Sequence, residues 1–360
     1  MAAIKEVVVF KLGELAGTAA EGVNITRVKL DAKAIVGKLQ LEDKGVSAAT
    51  PVMLGMCVDK SGNIYLSDYD DHIIVKINES GKINRLAGSS GIASNNRALQ
   101  NVEGGLARFN APSGIACDNS GNIYVADRNN NQVRIIKGDG KVGVYAGNGA
   151  QQAGTVDASL NPLQSKFNNP IDVAVDNSGT VYVADIGSGS IRRIRGGNVS
   201  TICGGGIGDL QNVKACKIAG ANGFFTNLTS ICVDANGNIF ASDSENHNIK
   251  KITPNGWVYL FSGSGVDGQT LGTETTATVP SRKAYTCSFS EPLCVRCDRV
   301  GNVYVLDYSG SLTPRLVKLD PNGVPSNIVE FNTAGTEAAN GITSLAVSPS
   351  GNVYVALASA

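Results

Sequence analysis

Five ten-residue segments of this chain are near copies of one another: "DKSGNIYLSD" from Asp59, "DNSGNIYVAD" from Asp118, "DNSGTVYVAD" from Asp176, "DANGNIFASD" from Asp234 and "DRVGNVYVLD" from Asp298. A weaker sixth, "SPSGNVYVAL", starts at Ser348. The shared glycines, Gly62, Gly121, Gly179, Gly237, Gly301 and Gly351, stand 59, 58, 58, 64 and 50 residues apart. A period of that length is too long for helical hairpins and suits four strands with one long connection. The 360 residues exceed the usual size of one domain core, and repetition offers a way to use them.

Within each copy a short apolar stretch such as "SGIAC" leads into Asp-x-x-Gly-Asn and then into "IYVAD". The Asp can accept backbone hydrogen bonds in a tight turn while the Gly supplies positive φ, so the two flanking segments read as antiparallel strands joined by a hairpin. In four copies branched residues stand six and nine positions beyond the second Asp: Ile74 and Ile77, Val133 and Ile136, Ile191 and Ile194, Ile249 and Ile252. Lys or Arg lie between them, as in "QVRIIK" and "SIRRIR", which reads as a third, partly solvated strand. A fourth strand follows in "KINRLAG", "KVGVYAG", "NVSTICGG" and "WVYLFSG". Four antiparallel strands per unit with no helical periodicity describe the blade of a β-propeller.

The stretch "ARFNAPSGIACDNSGNIYVADRNNNQVRIIK", Ala107 to Lys137, resembles the signature of the NHL-repeat propellers almost throughout. Phe109, Phe167, Phe225 and Phe289 each precede their turn glycine by 12 residues. The resemblance covers roughly residues 50 to 357 and implies an all-β, six-bladed propeller of four-stranded antiparallel blades. It departs in the first copy, where Thr50 replaces the Phe, and in the last, where Ala339 does and the second Asp is missing.

The last copy also ends before its two outer strands. An open ring would expose unpaired edges, and "TRVKLDAKAIVGKL" from Thr26 shares Val-Lys-Leu-Asp with "PRLVKLDPNG" from Pro314. Val28 and Leu30 alternate with polar neighbours as a strand should. Residues 23–41 are therefore expected to supply the outer strands of the last blade, within a propeller spanning 23–360. Residues 1–22, with "KEVVVFKLGELAG", are expected to be an extra strand or a docking arm.

Chain direction places the links between blades and the turns between second and third strands at one end of the ring. The long links, 89–108, 148–166, 204–223 and 264–288, gather there, and long loops on a rigid scaffold are where binding is usually found. The candidate partner-binding residues on that face are Asp70, His72, Arg128, Asn130, Glu245 and His247 in the turns, with Arg97 and Phe224 in the loops beside them.

His72 and His247 are the only histidines, and both stand four residues after the second Asp of their copies. NHL repeats commonly carry His at this position, so the repeat itself explains them. The peptide-amidating lyases of this broad family use zinc with several histidines, more than this chain has. Calcium-dependent lactonases of related six-bladed propellers are the second enzyme alternative, on fold analogy alone. No catalytic, cofactor-binding or metal-binding residue is assigned, and no cofactor is expected.

Cys294 and Cys297 form a CxxC, but strand positions three apart face opposite sides, and no second CxxC or histidine pair completes a tetrahedron. The remaining strand cysteines read as compact core residues. Charged residues balance at 31 against 31, so no bulk field draws nucleic acid. Some NHL propellers bind single-stranded RNA on a basic face; here Arg134, Lys137, Arg192, Arg193, Arg195, Lys250 and Lys251 belong to the repeat and are expected to face the blade exterior. No apolar run reaches the length of a membrane span, and the first residues lack a signal-peptide pattern. These features together lead to the expectation of a soluble, non-catalytic protein-interaction or structural module. It would be a subunit of a larger assembly, cytoplasmic or in a virus or phage particle, with protein partners.

Overall fold

The computed structural model describes residues 4–12, 23–29, 55–79, 83–89, 101–149, 156–204, 225–271, 287–308, 314–330 and 342–358. It is an all-β propeller of four-stranded antiparallel blades. Five blades are each built from consecutive strands. Blade one contains Met56–Val58, Ile64–Asp68, Ile73–Ile77 and Ile83–Gly88. Blade two contains Pro112–Cys117, Ile123–Asp127, Gln132–Ile136 and Lys141–Ala146, with the short strand Val102–Glu103 added outside. Blade three runs from Pro170–Val175 through Val181–Asp185 and Ser190–Arg195 to Asn198–Gly204. Blade four runs from Leu228–Val233 through Ile239–Asp243 and Asn248–Ile252 to Val258–Ser262. Blade five runs from Pro292–Cys297 through Val303–Asp307 and Arg315–Leu319 to Pro325–Glu330.

The last copy contributes two strands of its own, Ile342–Val347 and Val353–Ala358, to a terminal sheet. The strand beside Val353–Ala358 is Ile4–Leu12, and Val23–Lys29 pairs on its far side with Val28 opposite Val7. This differs from the sequence reading, which gave both outer places to residues 23–41: the third place is filled from within 1–22. Leu30 and the rest of 30–41 lie outside the described residues.

The turns that join first and second strands are built as the repeat implies. Asp118 Oδ1 accepts from the backbone N–H of Ser120 and Asn122, and Oδ2 accepts from Asn122 Nδ2 and Tyr124 OH. Asp59 and Asp298 repeat all four contacts. Gly121 sits at φ 81°, a conformation a side chain rarely adopts. In the weak copy the Ser348 hydroxyl takes over the bond from Asn352 N–H.

The blades pack face to face, so both faces of a strand are buried by neighbours. That corrects the expectation for the third strand. Arg134, Arg192 and Lys250 are buried rather than on the blade exterior, and only the following cations, such as Lys137 and Arg195, are exposed. Alternation on a strand meets solvent on one side only when the sheet has an open face, and the sheets of blades two, three and four, which carry these cations, are covered on both.

Candidate functional site

The second Asp of each copy anchors a buried unit. Asp127 Oδ1 accepts from Asn110 N–H at 2.8 Å, while Oδ2 receives Asn130 Nδ2 at 2.9 Å and Arg134 Nη1 at 3.1 Å. The Arg134 guanidinium also donates to the carbonyls of Arg108 and Gly143 and lies 5.4 Å from the Phe109 ring centroid. Asp185 with Arg192 and Phe167, Asp243 with Lys250 and Phe225, and Asp307 with Arg315 and Phe289 repeat the arrangement. The recurring Phe, Asp and cation thus form one structural unit. Its aspartates are deeply buried, and burial pushes the Asp127 carboxyl above its ordinary value despite Arg134 beside it. Burial likewise raises Asp185 to about 6.

Blade one keeps the Asp and lacks the cation. Val75 pairs with Leu66 where Arg134 pairs with Val125. Asp68 is 3% exposed; Oδ1 accepts from the N–H groups of Asp70 and Asp71, and Oδ2 is buried without a hydrogen-bond partner. Burial is the main cause that pushes its pKa up to about 7, with the charges of Asp71 and Asp70 adding to it.

The two histidines are latches between blades. His72 and His247 occupy left-handed turn positions at φ 58° and 50°, as does Asn131 at 52°. Ala111 N–H of blade two donates to His72 Nδ1 at 3.1 Å, and Asn169 N–H of blade three donates to Asn131 Oδ1 at 2.9 Å. His247 Nδ1 donates to Ser290 O at 2.5 Å. Burial lowers the His72 pKa. Of the other candidate residues on this face, Asp70 and Glu245 are exposed, Arg128 is half-buried with its guanidinium 5.9 Å from the Tyr69 ring centroid, and Asn130 is fully buried against Asp127. Arg97 and Phe224 lie outside the described residues.

At the centre, the inner strands of the five blades and of the terminal sheet line one cavity of about 190 Å³ that reaches the Asp-x-x-Gly hairpins, on the opposite face from the candidate set. A charged belt that sequence reasoning missed crosses this channel. Arg296 of blade five donates through Nη1 to Asp172 Oδ2 of blade three at 2.9 Å and to Ser230 Oγ of blade four at 2.8 Å. Ser230 Oγ donates in turn to Asp172 Oδ2 at 2.7 Å, and Ile231 N–H reaches the same oxygen. Burial alone would lower the Arg296 pKa, but the Asp172 charge outweighs it and holds the guanidinium charged. Gly114 makes the room: a Cβ there would stand 2.2 Å from Asp172 Oδ1. The available signal was a charge inside an otherwise apolar first strand, in "PIDVAV" and "PLCVRC".

Among the described residues, no group of three or more His, Cys, Asp or Glu is placed to hold a metal ion. Cys294 packs in the layer between blade five and the terminal sheet and Cys297 in the layer toward blade four, so the CxxC sulfurs face opposite ways. Among the described residues, no helix is long and apolar enough to cross a membrane.

The NHL repeat family model matches residues 109–136, 167–194 and 225–252. No curated protein matches the sequence. Among solved structures, a gluconolactonase from Xanthomonas campestris is similar at 12% identity and TM-score 0.51, over 86% of this chain and 87% of that one. A chain of a nidogen/laminin complex is similar at 14% identity and TM-score 0.50, over 91% and 93%. A virginiamycin B lyase from Staphylococcus aureus is similar at 12% identity and TM-score 0.48, over 96% and 86%. At these identities the likeness to the gluconolactonase and to the nidogen/laminin chain is one of fold alone.

Proposed function

The chain is an NHL-repeat β-propeller, and from that premise we propose that it acts as a non-catalytic protein-interaction module, a subunit of a larger assembly. One observation carries the reading: apart from Asp68, the histidines and second aspartates that the repeats could offer for chemistry are engaged in structural contacts within or between blades. His72 and His247 latch adjacent blades, and the second aspartates of blades two to five bind their own buried cations. What the candidate face presents outward is a set of polar side chains on a rigid ring, including Asp70 and Glu245 exposed and Arg128 partly so. A propeller in a nidogen/laminin complex has the same fold, and its setting agrees with a protein-binding role. In the same reading the N-terminal strands complete a six-bladed ring, so the blade edges are paired and the loop and hairpin faces are left for partners.

Isolation of the protein from its native source with its companions attached, followed by hydrogen exchange on that complex, tests the proposal. Protection is expected around 101–108 and 156–166 and in the turns at Asp70 and Glu245. A protein that travels alone and turns over a lactone in a calcium-dependent way would replace this reading with the hydrolase one. Protection confined to hairpins such as Asp118–Asn122 would move the partner to the opposite face.

A further inference from the structure

The last two residues before each hairpin turn point into opposite inter-blade layers. The residue two places before the turn of one blade therefore shares a layer with the residue one place before the turn of the next. Ala116 and Val175 fill these places in one layer, Ala174 and Val233 in a second, and Ala346 and Val58 in a third, while Arg296 and Val347 hold them between blade five and the terminal sheet. In the two layers that remain, both places are cysteine. Cys57 meets Cys117 between blades one and two, and Cys232 meets Cys297 between blades four and five. Cysteine used only as a small apolar filler would be scattered singly among Ala and Val; here all four fall as two complete pairs.

The setting favours reaction between the partners. All four are free thiols and all line the channel cavity. In each pair one thiol is reachable and one is covered: Cys117 and Cys297 are half-buried, Cys57 is 8% exposed and Cys232 5%. The backbones are close as well. The inner strands approach with Cα atoms within 8 Å, and a Cβ on Gly55 would stand 2.2 Å from Ser113 O. Disulfides are built across Cα separations of about 4.4–6.8 Å.

We propose that Cys57–Cys117 and Cys232–Cys297 are two oxidation sites, each closing to an inter-blade disulfide by exchange with a small-molecule disulfide admitted through the channel mouth. The Cys117 thiolate attacks one sulfur of the external disulfide RSSR, forming a mixed disulfide and releasing RS⁻. Cys57, as thiolate, then attacks Cys117 Sγ, forming the protein disulfide and releasing the second RS⁻. Each pair gives up two electrons and two protons, and one RSSR becomes two RSH. Cys297 and Cys232 react in the same order. The product is neutral, which suits a site where burial opposes a lasting thiolate at Cys57 and Cys232.

The test is incubation of the reduced full-length chain in a glutathione redox buffer, followed by non-reducing peptide mapping by mass spectrometry. Two linkages are expected, Cys57 to Cys117 and Cys232 to Cys297, each with the loss of two hydrogens. The melting temperature should rise by about 5 to 10 °C and return on reduction. Cys117→Val with Cys297→Val, the residue that other layers carry at this place, should abolish the rise. Cys57→Ala alone should leave Cys117 trapped as a glutathione adduct, a readout that survives failure of the double variant to fold. Glutathione adducts that persist on the wild-type chain, linkages to other cysteines, or thiols that stay reduced under strongly oxidising buffer would each overturn the proposal.

Discussion

Asp68→Asn should stabilise this protein above neutral pH and do almost nothing at about pH 4 or below. The side chain is buried, its Oδ2 has no hydrogen-bond partner, and the cation that other blades place against this carboxylate is replaced by Val75. Its pKa is raised from the ordinary 3.8 to about 7 by burial first and by the nearby charges of Asp71 and Asp70. Because the folded state holds this proton more tightly than the unfolded state, the stability linked to it is fully present below about pH 3.8. It falls as pH rises and is lost above about pH 7. A shift of about three units corresponds to about 4 kcal/mol at most. Asn keeps an oxygen for the N–H groups of Asp70 and Asp71 and carries no charge to bury. Urea unfolding of wild type and Asp68→Asn, at several values from about pH 4 to about pH 8, isolates the effect, because the other titrating groups are common to both chains. The stability difference should grow with pH in favour of the variant by a few kcal/mol, with most of the change between about pH 4 and about pH 7. A difference that stays flat across this range would refute the reasoning, and with it the claim that Asp68 lacks a counter-charge.

Asp127→Ala should cost about 3 to 5 kcal/mol in urea unfolding, since it leaves Arg134 buried without its carboxylate; adding Arg134→Met should recover part of that loss, and a single-variant cost under about 1 kcal/mol would contradict the assignment. Gly114→Ala should destabilise by more than an ordinary Gly-to-Ala change, because the new Cβ meets the Asp172 backbone and carboxylate; an unchanged melting temperature would show that the belt tolerates displacement. Removal of residues 1–29 should expose the edge of Val353–Ala358 and produce aggregation or a large fall in melting temperature; a monomeric, equally stable truncation would exclude a structural role for those strands.

The hairpins and the strand order were legible because their causes are local. Asp, Gly and Asn of one turn satisfy one another within a few residues, so five copies spell out the same geometry. The Phe that precedes each turn was equally visible, but its partner was not. Phe109 and Arg134 are 25 residues apart in "ARFNAPSGIACDNSGNIYVADRNNNQVRIIK" and meet only because the strands fold back. Reading Arg134 as solvated assumed a sheet with an open face, and a propeller closes both. For "VVVF" an extra strand is legible but its place is not: its partner, Val353–Ala358, lies at the other end of the chain, and the echo of Val-Lys-Leu-Asp points to Thr26 instead.

What distinguishes this propeller from an averaged one lies where the repeat breaks, and a repeat-based reading smooths over those places. Position 75 is apolar where three blades have Arg or Lys, and the result is a lone buried carboxylate at Asp68. Position 172 is acidic where the other first strands carry small residues or cysteine, and position 296 is basic where they carry Ala or Cys. Those two departures find each other across a third blade, Ser230 completing the belt. The cysteine pairs follow the same logic, since each is a double departure from Ala and Val that meets in space. A single departure is compatible with drift; two that satisfy each other across a blade boundary require the folded ring to coincide. The candidate face rests on loop length, a property shared by four of the links between blades, whereas these paired departures gather along the central channel. Substitution at the channel should therefore change properties particular to this chain, while substitution in the hairpins should change only stability common to the fold.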